Sequence, residues 1–499
     1  MSDQSDADVE EQFPAYLATQ ESDEGKLNTI HICGTIDQAR QWREKQTAKG
    51  ALTKSSSPAS DRESDKVSIR GRSEDEKGYA EHLDKLISSI RSFYDLISIN
   101  ASVRVIFPNI YIDREFNDLR SNLPLLDENS VSKLYGVPED RISMLNTRMR
   151  KLNHIEEGLS TISANVLMGL VARFDANISS LVRFMLKYRK ETLLSSDKSI
   201  SIKYILAAQS FDELIDEIVE DEIHSLMRGS HEEQIKYIEE NFSIEIRSGF
   251  KRWANFVEIF ERRNLAAHGE GFVNSRYDQN CNKAGVDEKA RLGFGEKVEL
   301  DDSYLRYSTD ILLEFGILLI WWLWLKQSPS DAPEVYNKIN SATYDLILDK
   351  RYKLSARILE SVLSRKTHDA PETLRRMMAV NLANCYKKLQ DERKFERTLK
   401  MFDWSASADQ FKISIAALEE DVEKFCSLMS RVTEDELVGK IGFRDWPVFD
   451  WVRDDERVRM KFKDIYGEPL EVASKARFDA SREEVSEDES LDDLNGTVH

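Results

Sequence analysis

Between Ile162 and Met185 the apolar residues Ile162, Val166, Leu167, Leu170, Val171, Phe174, Ile178, Leu181, Val182 and Met185 recur at three- and four-residue steps. An unbroken stripe of that period over so many turns fits only a long helix with one buried face, so it sets the fold class. Other segments repeat the pattern. Leu83 to Ile97, Phe211 to Met227, Phe250 to His268 and Ser303 to Lys326 each read as a helix. With 20 Gly and 10 Pro in 499 residues, the chain has too few turn formers for a β architecture. The expected fold is all-α. Its centre is a four-helix bundle over residues 155–327, with an accessory helical region at 76–154.

Charge is concentrated at the ends. The net charge is −20, but residues 1–25 hold eight acids and no base, and residues 480–499 hold seven acids and one arginine. Residues 1–75 and 467–499 therefore read as largely disordered acidic tails, and the folded part keeps room for a local basic site. A short strand over Thr29–Gly34 and a polar helix over Ile36–Lys49 are the exceptions in the first tail. Val103–Ile112 is expected to be extended, because Pro108 interrupts it. Ser130–Leu145 reads faintly as a helix-turn-helix around Gly136, with plain helix packing as the alternative.

Cys33, Cys281, Cys385 and Cys426 are too far apart for a disulfide framework or a zinc site, and no signal-peptide pattern opens the chain. Cytoplasmic residence follows as the expectation. Ile311–Leu325 is strongly apolar but short for a membrane span and contains Glu314, so a buried helix is expected and no membrane association. His224 and His231 lie among acids, but surface histidines are the default reading and no metal or cofactor is expected.

Residues 334–466 read as shorter helices in a repeat-like module with a C-terminal cap. Tyr352–Leu359 has the character of the second helix of a hairpin and Asn381–Tyr386 of the first helix of the next. Ile413–Met429 reads as a third hairpin with its turn at Glu419–Asp421. The small residues at close-approach positions resemble tetratricopeptide-type repeats, although Phe395 stands where such a repeat wants alanine. A protein partner is the expected ligand of such a module.

The chemistry-bearing segment is Phe250–Tyr277. Trp253, Val257 and Phe260 place its helix on the bundle, and Asn264 and His268 follow at four-residue steps. Arg263 stands beside them, five before His268, and Gly269 and Gly271 supply a helix stop. Arg-polar-x-x-x-His, late in the third helix of a four-helix bundle, resembles the motif of the HEPN ribonuclease family. The resemblance covers about a third of the chain, and Asn274 and Tyr277 downstream fit it. It implies a metal-independent endoribonuclease with Arg263, Asn264 and His268 as catalytic residues, RNA as substrate, and an active site shared across a homodimer. By the same analogy the role would be prokaryotic defence or toxin-like growth arrest.

Supporting candidates are Tyr277, Arg262, which also stands at a permissible spacing from His268, and Glu222, on the apolar face of its helix. Arg263 is one partner open to Glu222, and a structural base or solvent is the other reading. Arg148, Arg150, Lys151, Arg183, Lys187 and Lys190 are basic residues within reach of an RNA backbone, or simply solvated faces. The rival to the enzyme is a non-catalytic scaffold, in which the bundle dimerises and the repeats recruit a partner.

Overall fold

The computed structural model describes residues 15–21, 27–33, 38–40, 78–128, 132–189, 210–268, 271–365, 370–433, 435 and 438–470. For strands β1 and β2 and for a few other positions, His268 among them, only the backbone is described. Most of both acidic tails, and most of the polar helix expected over Ile36–Lys49, lie outside the described residues.

The fold is all-helical apart from one small sheet. In chain order the elements are β1 (Ala15–Glu21), β2 (Leu27–Cys33), α1 (Tyr79–Arg120), β3 (Leu125–Glu128), β4 (Ser132–Val137) and α2 (Glu139–Tyr188). Next come α3 (Phe211–Arg228), α4 (His231–Phe242), α5 (Trp253–His268), α6 (Ser275–Ala284) and α7 (Asp302–Gln327). The C-terminal part has α8 (Ala332–Leu348), α9 (Tyr352–Ser364), α10 (Glu372–Lys388), α11 (Glu392–Leu399), α12 (Asp409–Leu418) and α13 (Val422–Met429). It ends with α14 (Lys440–Asp445), α15 (Asp450–Arg453) and α16 (Glu456–Tyr466).

Two compact units emerge. The first holds the described residues up to Arg40, together with residues 94–167 and 300–305. Its sheet is antiparallel in the order β2-β1-β4-β3, with Tyr16 opposite Gly136 and Leu125 opposite Tyr135. Ile112 and Phe116 of α1, Tyr135 and Val137 of β4, and Leu145 and Leu152 of α2 close one apolar core. Within this unit Asn100 donates to Ser163 Oγ at 3.3 Å, and the Lys151 ammonium sits over the Tyr111 ring.

The strand expected over Thr29–Gly34 is present as β2, and β1 pairs with it. Two expectations are corrected here. Val103–Ile112 is helical, not extended. Pro108 removes one ladder hydrogen bond, a cost of ~3 kcal/mol or more, yet Ile97 and Asn100 before it and Ile112 and Phe116 after it are all buried on one face. That packing outweighs the lost bond. The helix-turn-helix does not exist, because Ser132–Val137 is a strand held between β1 and β3. Lys133, Leu134 and Tyr135 make ladder pairs where a first helix would have been needed.

The second unit comprises the described residues within 78–93, 168–299 and 306–470. The expected boundary near residue 154 is not where the chain divides; the junction falls inside α2, whose apolar stripe runs on without a break. Phe174 of α2, Phe256 and Phe260 of α5 and Phe315 of α7 meet in the bundle core, with Phe250 and Trp253 at its edge. Each such side chain contributes about 1.5–3 kcal/mol by leaving water. Two helices, α4 and α6, come in addition to the four read from periodicity.

Helix α7 is the one described helix long and apolar enough to cross a membrane, and 83% of its apolar window is buried within the protein. Its two carboxylates explain why it belongs there. Glu314 accepts from Arg252 at 3.2 Å and from Arg357 at 2.8 Å, and Asp310 accepts from Arg351 at 3.1 Å. Arg351 and Arg357 stand at the start of and within α9, so the charges of α7 are met by the C-terminal hairpins.

Those hairpins share one turn. In α8–α9, α10–α11 and α12–α13 the second residue past the first helix is left-handed: Lys350 (φ 61°), Gln390 (φ 58°) and Glu420 (φ 57°). In each, the next residue's N–H bonds back to a carbonyl inside the helix: Arg351 to Leu346, Asp391 to Tyr386 and Asp421 to Ala416. Asp391 and Asp421 then cap the second helix. The cap over the last hairpin is aromatic, with Phe425, Phe443, Phe449 and Phe462 in mutual contact. The indoles of Trp446 and Trp451 donate to Asn381 and Asn384 of α10.

Candidate functional site

Helix α5 enters from a turn at Phe250–Arg252 and stays helical to His268. Its buried face carries Phe256, Ile259 and Phe260 against the bundle. Leu265, one turn further on, packs with Val273, Tyr277 and Cys281, so the last turn is held by α6 and the segment before it. Gly271 (φ 75°) reverses the chain just beyond. Val298 N–H reaches back to the Gly271 carbonyl and Val273 N–H to that of Glu296, which pins the returning strand of chain. Asn274 is the N-cap of α6 and accepts from the Arg276 and Tyr277 amides, so its part is structural.

The two adjacent arginines have opposite environments. Arg262 is 8% exposed. Its Nε donates to Glu258 Oε1 at 2.6 Å, and the Tyr277 hydroxyl donates to the same oxygen at 2.8 Å. Burial, then the nearby Glu258 carboxylate, push the Tyr277 hydroxyl far above its ordinary pKa. The proton therefore stays on Tyr277, and this buried trio fixes α6 against α5. Neither Arg262 nor Tyr277 faces a solvent-filled groove. Burial likewise pushes the Cys281 thiol beside them up to about 12, which removes it as a nucleophile.

Arg263 is half-buried. Its Nε is shut off from solvent without a hydrogen-bond partner, and it forms no ion pair among the described residues. Asn264 next to it is also half-buried. The backbone of His268 closes the helix one turn after Asn264, on the same face by helical spacing. The His268 side chain lies outside the described residues.

Glu222 has its partner elsewhere. The Tyr237 hydroxyl of α4 bonds to it, and burial, followed by that carboxylate, raises the Tyr237 pKa. No Arg263–Glu222 pair is therefore needed to satisfy the carboxylate. Of the basic residues named from sequence, Arg183 is bidentate on Glu220 at 2.5 and 2.9 Å, and Lys187 pairs with Asp216 at 2.9 Å. Arg148 donates to the Glu115 carbonyl. These charges tie helices together, and Lys190 is outside the described residues.

Glu258 of α5 escaped the reading of the sequence, and His231, expected as a surface histidine, is instead largely enclosed. Glu258 is the anchor of Arg262, and the Glu-x-x-x-Arg spacing was there to announce an i,i+4 pair. His231 of α4 stacks flat on Phe260, ring centroids 3.5 Å apart, with its Nε2 2.7 Å from Asp175 of α2. Nothing local in the sequence links Asp175 to His231. Among the described residues no cluster of three or more His, Cys, Asp or Glu is arranged to hold a metal. Comparison with family models, curated proteins and solved structures returned no match.

Proposed function

We propose that this chain is a cytoplasmic, metal-independent endoribonuclease of HEPN type, with Arg263, Asn264 and His268 at the end of α5 as its active residues. The observation that carries the reading is Arg263. The side chain is half-buried and forms no ion pair among the described residues, and a phosphate is the acceptor that suits such a guanidinium best. The contrast with Arg262 supports this: one arginine of the pair is spent on structure and its neighbour is left for a ligand.

In the reaction, the RNA 2′-oxygen attacks the adjacent phosphorus and the P–O5′ bond breaks, leaving a 2′,3′-cyclic phosphate and a 5′-hydroxyl. Arg263 stabilises the charge that builds on the non-bridging oxygens. His268 takes the 2′-hydroxyl proton and returns it to the leaving 5′-oxygen, and its place at a helix C-terminus stabilises the charged imidazole in between. Asn264, one turn before, orients His268 or holds a phosphate oxygen. On this reading two copies face one cleft, the C-terminal hairpins engage a regulatory protein, and the setting is prokaryotic defence or toxin-like arrest.

The test is incubation of wild type, Arg263→Ala and His268→Ala with total RNA in EDTA. Wild type is expected to yield cyclic-phosphate ends, and each variant to lose at least ~100-fold in rate. Equal behaviour of the three proteins overturns the enzyme. It favours instead a scaffold that recruits a partner through its three stacked hairpins, the arrangement that speaks for that second reading.

A further inference from the structure

Helix α1 carries two stripes. One, through Ile97, Asn100, Ile112 and Phe116, is buried in the first compact unit. The other is not covered. Leu96, Ile99, Val103, Ile106 and Ile110 follow one another at steps of 3, 4, 3 and 4, and are 42%, 60%, 38%, 54% and 58% exposed. Phe107, 52% exposed, flanks them, and the serines Ser98 and Ser102 complete a shallow groove along the helix.

We propose that this seam is where a second copy of the chain docks, helix against helix. The 3-4 spacing repeats every 3.5 residues, the period that keeps a stripe facing a partner helix as the two wind round each other. A globular ligand or a flat surface makes no such demand. The six side chains leave on the order of 500 Å² of apolar surface in water, within the range of the largest patch on a monomer. Two copies pressed together bury about 1,000 Å², the threshold of a specific interface.

The polar neighbours also select the occupant. Asp95, Ser98, Ser102 and Asn109 flank one side of the seam without a lysine or arginine, and Arg104 on the other side is paired with Asp302, whereas a helix that lies on a membrane carries free basic residues along its polar face. Apart from Asp95 at its first turn the seam is uncharged, so it matches itself with little like charge opposed. The stripe lies in residues 94–167, away from the α5 motif in sequence and in compact unit, so the proposal does not rest on nuclease activity.

The full-length chain at ~10 µM, a concentration at which specific interfaces of this size are generally populated, tests it by light scattering after size exclusion. Wild type is expected at twice 57.6 kDa. Ile99→Asp/Ile106→Asp and, separately, Ser102→Glu are expected at the monomer mass with unchanged helical circular dichroism. Ser102→Glu puts a charge into the groove while touching no apolar residue, so it answers the case in which the double variant unfolds. Three outcomes overturn the proposal. The first is a wild-type monomer, including one whose seam is shielded from hydroxyl-radical labelling by its own chain. The second is a dimer that survives in both variants. The third is a monomer that instead floats with neutral phosphatidylcholine vesicles.

Discussion

Arg262 and Arg263 are neighbours in sequence and share a helix, yet one reads as structure and the other as a site. The choice of Arg263 rested on the polar residue after it; Arg262 was open as the alternative. What separates them physically is Glu258, which lies one turn before Arg262 and not before Arg263. The prediction follows at this scale. Arg262→Met leaves Glu258 charged and buried, and is expected to lower unfolding stability in urea by about 3–5 kcal/mol. Arg263→Ala removes no partner among the described residues, so its urea midpoint should stay close to wild type, while its activity on RNA falls. If the two variants destabilise alike, Arg263 has a structural partner after all. Both arginines stand in the sequence as candidates, but the Tyr277–Glu258 bond depends on α6 folding back, which no local pattern declares.

At the scale of elements, helices with a wide apolar stripe were legible and the short polar ones were not. Helix α7 was expected at Ser303–Lys326 and runs Asp302–Gln327. Helix α4 went unread because only Ile235, Ile238 and Phe242 bury strongly among its charged residues. Its start was nonetheless spelled out, since Ser230 and Glu233 form a reciprocal capping box. Strand β4 went unread because β1, one of its two partners, lies over a hundred residues away. The turn at Glu419–Asp421 was legible from its position between two apolar runs, but its left-handed residue was not. A non-glycine in that conformation costs about 1 kcal/mol. Gln390→Gly and Glu420→Gly are therefore each expected to raise the melting temperature by a few degrees, since glycine removes that cost while giving back part of it as unfolded-chain entropy. A drop in both would mean the Gln390 and Glu420 side chains matter to the turn.

For the chain as a whole, the apolar helix α7 is decisive. By composition α7 would suit a bilayer; in the fold its Asp310 and Glu314 are claimed by Arg351, Arg357 and Arg252. The apolar run was readable in the sequence as a core helix, because Glu314 interrupts it, but the three arginines that answer its charges come from segments up to 62 residues away. This network ties the bundle to the first hairpin within one compact unit. Arg357→Met is expected to cost about 3 kcal/mol by leaving Glu314 short of a donor. It should also turn a single calorimetric transition of that unit into two. A melt that stays single and unshifted would show that bundle and hairpins are coupled by apolar packing alone.

The recurrent left-handed turn has a consequence for how this chain can vary in length. Each hairpin closes on hydrogen bonds within five residues of its own corner, and none of the three corners borrows a group from another. Whole hairpins are therefore separable parts: a relative with one more or one fewer would keep every remaining corner intact, whereas gain or loss of half a hairpin would strand an apolar face. Length differences among descendants of this sequence should accordingly come in steps of one helix pair.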